Sequence, residues 1–321
     1  MCAPNPVSAA VAGTMAAGAA NLAIALCGSE ASEHLVVLPP EVNIHGLLDV
    51  GVGSEGSPGP LEGFAGLLVI RDDPTMRLPG AIEALAEIGT VVVIDNVLHE
   101  TARLASVVIA EGRAYASAGT YTQGDFRVQR LSPAVQPEGE AVALFNALAA
   151  LGTELGLTLP GSAEAALGEI ARAVPEYEPA YDLIIGEGVR LAVRASGRGT
   201  IIPVQPLRAP REGLRIAIGR DLYTAADAAA LRHPEADKLH RYDRIQVSEE
   251  DAARLGIAQG DEIEVSANGA ALRAQATVTE RVRAGSVCIS SLLQGGAVLG
   301  LIGGDDVAAV DIRVLAPVAA G

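Results

Sequence analysis

The sequence holds almost no aromatic surface and almost no lysine. Aromatic residues are 3% of the 321, Trp is absent, and Lys238 is the sole lysine. Binding nucleic acid calls for stacking rings and cations, whereas this chain carries a formal charge of −16 at pH 7, so no nucleic-acid partner is expected. Its three cysteines, Cys2, Cys27 and Cys288, lie far apart. They read as reduced cytoplasmic thiols and not as a disulfide framework. An iron–sulphur cluster takes four cysteines at characteristic spacings, so this chain is not expected to build one alone. No Lys or Arg precedes Arg71, which leaves the apolar run 7–27 without the positive flank of a targeting segment or membrane span. A helix packed on a sheet and ended by Gly28-Ser29 is expected there, with no direct membrane insertion. Ala25-Leu26-Cys27 puts a bulky Leu where a lipoprotein cleavage site needs a small residue. HExxH, GxSxG and the P-loop are missing, Gly51-Val52-Gly53 sits in a Gly/Ser/Pro loop, and the five histidines show no paired metal spacing. Neither a metal site nor a catalytic residue is expected.

What the sequence does have is aliphatic: half its residues are hydrophobic, enough for two domains with real cores. From 34 to 110, short apolar runs (HLVVLP, GFAGLLVIRDDP, TVVVID, SVVIA) alternate with helical patterns, as a parallel sheet covered on both faces requires. Helices are expected over 138–155 and 163–173. Five prolines between 175 and 210 mark a connector, with β-like runs at 182–185 and 190–193. Beyond it the sequence turns β-rich. Strand 243–247 leads into a short helix capped by Ser248, with Asp251 reaching back and Gly256 ending it. Asn268-Gly269 is a strong hairpin signal between strands 262–265 and 272–278, because both residues tolerate positive φ. Strands at 286–289 and 310–315 complete a small barrel. The expected organisation is α/β over 1–175, a Pro-rich connector over 176–210 and a β-barrel over 211–321.

Two stretches carry a family resemblance. The run TVVVIDNVLHETARLASVVIAEGRAYASAGTYTQGDFRVQ (90–129) resembles the segment of molybdopterin oxidoreductases, including the G subunit of NADH:quinone oxidoreductase (complex I), that reads "strand, ETA..AD, VVLP, E..GT..N.EGRVQ". DRIQVSEEDAARLGIAQGDEIEVSANGAALRAQATVTERVRAGSVCIS (243–290) resembles the molybdopterin-dinucleotide-binding C-terminal domain of the same family. Glu41-Val42-Asn43-Ile44-His45-Gly46 with Asp49-Val50-Gly51 is similar to a stretch of those complex I proteins and of some formate dehydrogenases. The resemblance implies a doubly wound parallel-sheet domain followed by a double-psi β-barrel.

It also implies where a cofactor would lie. Asp72 and Asp73, after a strand, occupy the crevice position beyond the carboxyl ends of an open parallel sheet; with Pro74 they also make an ordinary strand terminator. Gly119, Thr120, Arg127 and Gln129 match the loop that lines the cofactor region in relatives, and equally suit packing roles. Gly219 and Arg220, with Tyr223-Thr224, resemble the start of the family's cofactor loop, where Arg220 would pair with a phosphate. Departures weaken these positions. The Pro of "VVLP" corresponds to Ala110, the Glu before Gly-Thr to Ala116, and "N.EG" to Gln123-Gly124-Asp125-Phe126. The expectation is a vacated pocket. On this reading the protein is a cluster-free structural portion of the peripheral arm of complex I, not catalytic alone and binding no cofactor itself. Its partners would be flavin- and iron–sulphur-bearing polypeptides at the cytoplasmic side of the inner membrane. The alternatives are the cofactor-closing part of a split molybdopterin oxidoreductase such as a formate dehydrogenase, which would hold molybdopterin guanine dinucleotide, and a free-standing binder of a nucleotide-like ligand.

Overall fold

In the computed structural model the described residues are 9–38, 42–52, 61, 63–76, 78, 80–178, 181, 184–191, 200–204, 213–219, 243–290, 293–302 and 308–316. The chain divides into two units, one of Met1–Gly59, Ile94–Asn96 and Val108–Pro206, the other of Pro60–Val93, Val97–Val107 and Leu207–Gly321.

Strands β1 (Gly66–Ile70), β2 (Thr90–Asp95) and β3 (Val107–Ala110) form a parallel sheet in that order. Helices α3 (Ala81–Glu87) and α4 (Glu100–Leu104) supply the crossovers. Val69, Val91 and Val93 pack with Leu85, Ile88 and Ala102 into one core. The run HLVVLP, expected as a further strand, contributes among its described residues an isolated bridge at Val37. A short apolar run signals burial, and periodicity alone cannot say that it pairs in a sheet.

Ahead of the sheet lie α1 (Ala9–Cys27) and α2 (Ile44–Asp49). In place of the expected burial on a sheet, no part of the apolar window of α1 is buried. Its polar tie is Asn21, whose amide donates to Ile202 O and accepts from Ile202 N, both at 2.7 Å. By length and composition Ala12–Glu33 could cross a membrane.

β4 (Gly119–Thr122) and β5 (Arg127–Leu131) form an antiparallel hairpin, which β6 (Val189–Arg190) extends. The helix expected over 138–155 starts later, as α5 (Leu144–Glu154). The reason is that Val142 bridges Glu111 in an extended segment, with Val142 N donating to Ala110 O. α6 (Ala163–Ala173) has the expected bounds and is capped by Ser162 Oγ, which accepts from Ala165 N. Tyr177, Ile184 and Leu191, from the segment read as a connector, are buried with Val128 and Leu167. The expected strands 182–185 and 190–193 lie partly outside the described residues; Ile184 and Ile185 are not in a strand.

The remaining strands are β7 (Leu214–Gly219), β8 (Arg244–Val247), β9 (Glu262–Ala267), β10 (Ala270–Val278), β11 (Ser286–Ser290) and β12 (Ala309–Ala316), with α7 (Glu249–Leu255) and α8 (Leu299–Ile302) between them. They close into a barrel of order β10-β8-β11-β7-β12-β9. Two parallel pairs, β7 with β11 and β8 with β10, meet through the antiparallel pair β8–β11, the interlocked arrangement of a double-psi barrel. Ile245, Val247, Ile263, Val265, Val287 and Ile289 are fully buried inside it. Each such side chain contributes about 1.5–3 kcal/mol by burial. Asn268 and Gly269 take φ of 51° and 80°, giving the expected β9–β10 turn. β7 was not foreseen, although Leu214, Ile216 and Ile218 alternate with the outward Arg215 and Ala217, because it directly follows a Pro/Arg-rich stretch.

Candidate functional site

The carboxyl end of β1 is organised around one carboxylate. Arg71 takes a φ of 51° and turns the backbone out of the strand. Asp73 Oδ1 then accepts from Thr75 Oγ1 at 2.6 Å, Thr75 N at 3.2 Å and Thr101 Oγ1 at 2.5 Å. Thr75 is the middle residue of the single helical turn Pro74–Met76 and Thr101 lies in the first turn of α4. Both threonines are buried. Asp73 Oδ2 is 3.6 Å from His99 Nδ1, but that nitrogen already accepts from Ala102 N at 3.2 Å as the cap of α4. The cap uses the Nδ1 lone pair, so the neutral ring carries its proton on Nε2; the Asp73–His99 approach is a contact between two acceptors. Asp72 is half-buried beside this hub. The 74–76 turn lies against the turn Leu293–Gly296.

A second network braces the hairpin. Gly119 and Thr120, expected in a loop, are in β4, where Gly119 pairs with Leu131 and Thr120 with Arg130. Gly119 has neither a positive φ nor a close neighbour, so its glycine identity is not a backbone requirement here. Arg127 Nε lies 3.5 Å from Asp125 Oδ2. Gln129 donates to Glu187 O at 3.4 Å and accepts from Gln123 Nε2. From the other side, Asn43 Oδ1 accepts from Thr122 N at 2.9 Å. Tyr177 OH donates to Asp49 Oδ2 at 2.7 Å and shares a 2.8 Å bond with Thr122 Oγ1. Burial pushes the Tyr177 phenol up; the Thr122 bond opposes this and Asp49 reinforces it. Asn43 and Asp49 of the motif thus tie α2 to the hairpin.

In the barrel, Gly219 ends β7, and a Cβ there would come within 3.1 Å of Cys288 Sγ. Arg220, Tyr223 and Thr224 lie outside the described residues. Asp251 accepts from Ser248 Oγ, Arg254 Nη2 and Gly285 N, each at 2.7 Å. Burial would raise its carboxyl, but these three partners outweigh it and the net shift is downward. The Asp251 carboxylate thus bonds the Ser248 hydroxyl and holds Gly285 of the Arg-Ala-Gly motif across 34 residues. Among the described residues no three His, Cys, Asp or Glu side chains group as metal ligands. Sequence reasoning missed Thr101, whose only local signal is its place two residues into a helix.

Residues 221–298 match the family described as "Molydopterin dinucleotide binding domain". The sequence is 28% identical over 89% of its length to the NADPH-Fe(3+) oxidoreductase subunit alpha of Geobacter sulfurreducens, of which it covers 38%. It is 26% identical over 70% of its length to a formate dehydrogenase subunit alpha of Methanococcus maripaludis, covering 38% of it. It is 28% identical over 71% of its length to an NADH-quinone oxidoreductase G subunit of Rhizobium meliloti, covering 27%. The chain therefore spans between about a quarter and two-fifths of the length of these relatives. Acetylene hydratase from Pelobacter acetylenicus shares the fold, with a TM-score of 0.56 at 14% identity over 83% of this chain and 46% of that one. The sequence is thus similar to the dinucleotide-binding domain over 221–298 and to these oxidoreductase subunits over most of its length, and the likeness to acetylene hydratase is one of fold.

Proposed function

We propose that the protein is a structural portion of an electron-transferring oxidoreductase, of the type of the G subunit of NADH:quinone oxidoreductase, without a complete redox site of its own. The observation that carries this reading is the engagement of Asp73 Oδ1 by Thr75 and Thr101. At the crevice position where an open α/β sheet meets its ligand, three bonds from Thr75 and Thr101 engage the carboxylate oxygen Oδ1. The hub fixes a loop. Asp49, Asn43 and Thr122 do the same for the hairpin. Side chains at both positions brace the shell, as a scaffold requires. Relatives named as subunits of NADPH- and NADH-linked oxidoreductases support the assignment to a multisubunit complex. In it, flavin- and cluster-bearing polypeptides would conduct the electrons at the cytoplasmic face of the membrane.

The second reading, a cofactor-closing part of a split formate-dehydrogenase-type enzyme, has the dinucleotide-domain match and the formate dehydrogenase relative in its favour. Under it the cofactor would supply the redox-active metal, and Asp72 with the 74–76 turn would contact its nucleotide end. Molybdenum and tungsten analysis of the natively purified protein and its complex separates the two. Stoichiometric metal supports the second reading and removes the first.

A further inference from the structure

Asn268 and Gly269 form the turn between β9 and β10, with Ala267 paired to Ala270 on either side of it. Both turn residues have left-handed backbone and both are exposed to water. Along the chain, Gly269 N is separated from Asn268 Cγ by Asn268 C, Cα and Cβ, so a bond between them closes a five-membered ring. Gly269 brings no side chain to shield that nitrogen, and a Cβ built there would meet nothing within 4 Å. Among the described residues no backbone carbonyl accepts its hydrogen. The nucleophile is therefore open. The group that would leave is Asn268 Nδ2, which donates to Leu301 O in α8 at 2.9 Å. Leu301 is fully buried in the barrel core. Its neighbour Gly300 lies so close to the hairpin that a Cβ on it would come within 3.2 Å of Ala270 Cβ. The Asn268 amide thus ties the hairpin tip to a buried helix end.

We propose that Asn268 is a site of spontaneous deamidation, and that its conversion unfastens α8 from the β9–β10 hairpin. Gly269 N gives up its proton and bonds to Cγ; the Cγ–Nδ2 bond breaks, and Nδ2 leaves with the proton as ammonia. Water then opens the cyclic imide at one of its two carbonyls. Cleavage of the N–Cγ bond leaves aspartate, and cleavage of the main-chain N–C bond leaves isoaspartate. Nothing is oxidised or reduced, and water is the only co-reactant. Either product turns a carboxylate, which donates no hydrogen bond, toward Leu301 O. A buried carbonyl loses its donor. Isoaspartate also adds a backbone atom to a turn that the pairing of Ala267 with Ala270 fits to two residues. The reaction does not rest on the scaffold reading, since no cofactor or partner takes part.

The test ages the full-length protein in mildly alkaline buffer beside an end-capped peptide of residues 266–272, SANGAAL. Digests are analysed by mass spectrometry for aspartate and isoaspartate at 268, and a thermal melt is recorded at each time. Both products should accumulate in the folded protein, and the melting temperature should fall as they do. Asn96, followed by Val97, and Asn146, inside α5, should stay intact as internal controls. Asn268→Asp should melt below the parent from the outset. Asn268→Gln, whose longer side chain would have to close a six-membered ring, should not convert. Absence of either product at 268 in the folded protein over several half-lives of the peptide overturns the proposal. So does converted protein, or Asn268→Asp, that melts with the parent.

Discussion

Thr101 donates to Asp73 at 2.5 Å across 28 residues of sequence, joining the first turn of α4 to the loop that leaves β1. Removing the hydroxyl while keeping the shape isolates that bond. Thr101→Val should destabilise the protein by about 1–3 kcal/mol, because the carboxylate is left with a missing donor in a buried setting. Urea denaturation measures it. Asp73→Asn should cost a similar amount, and the double variant should cost less than the sum of the two, since they share one interaction.

Asp251 sets the acid limb of barrel stability. Its folded-state pKa is depressed, so its contribution is present above the unfolded value of about 3.9 and is lost as pH falls through the folded value. Asp251→Asn should lower stability near neutral pH by about 1–3 kcal/mol and flatten the fall of stability between about pH 5 and pH 2. Chemical denaturation across that range is the check.

Tyr177 makes the opposite prediction at the alkaline end. Its folded-state pKa is raised, so its stabilising contribution holds below the unfolded value of about 10 and disappears as pH rises beyond it. In a spectrophotometric titration of the six tyrosines, one should ionise late and together with loss of structure. Tyr177→Phe should remove that late step and cost about 1–3 kcal/mol, by stripping the buried Thr122 hydroxyl of its partner.

Gly188 has a φ of 85°, and a Cβ there would collide with Val128 O of the hairpin. Gly188→Ala should destabilise by at least about 1–3 kcal/mol, the cost of the left-handed backbone, with the collision adding to it. Gly119→Ala, with open space and no left-handed backbone, should be near neutral. Parallel thermal melts of the two variants compare them directly.

Local chemistry was legible in the sequence wherever a few adjacent residues decide the outcome. Ser248 with Asp251, Asn268 with Gly269, and the bounds of α6 all follow from caps, turn conformations and helical spacing within one or two turns. The fold class followed as well, because alternating strands and helices and then closely spaced short strands leave few alternatives. What escaped depends on partners distant in the sequence. Val142 belongs to an extended bridge only because Glu111 is beside it. Among the described residues of the run that begins at 34, as apolar as a central strand, Val37 makes an isolated bridge and none lies in a strand. At the site, Asp72 and Asp73 were identified as a crevice loop, but the bond that Asp73 Oδ1 takes from Thr101 comes from 28 residues away and could not be read locally.

The account stands on the protein being a braced shell that holds no redox centre. The most direct measurement is metal analysis together with electron paramagnetic resonance on this polypeptide, isolated from its native complex under conditions that keep bound cofactors in place. The account predicts no stoichiometric molybdenum, tungsten or iron and no resonance signal from the isolated polypeptide, with the electron carriers found on co-purifying subunits. One equivalent of molybdenum or tungsten on it, or turnover of formate by it unaided, would contradict the account.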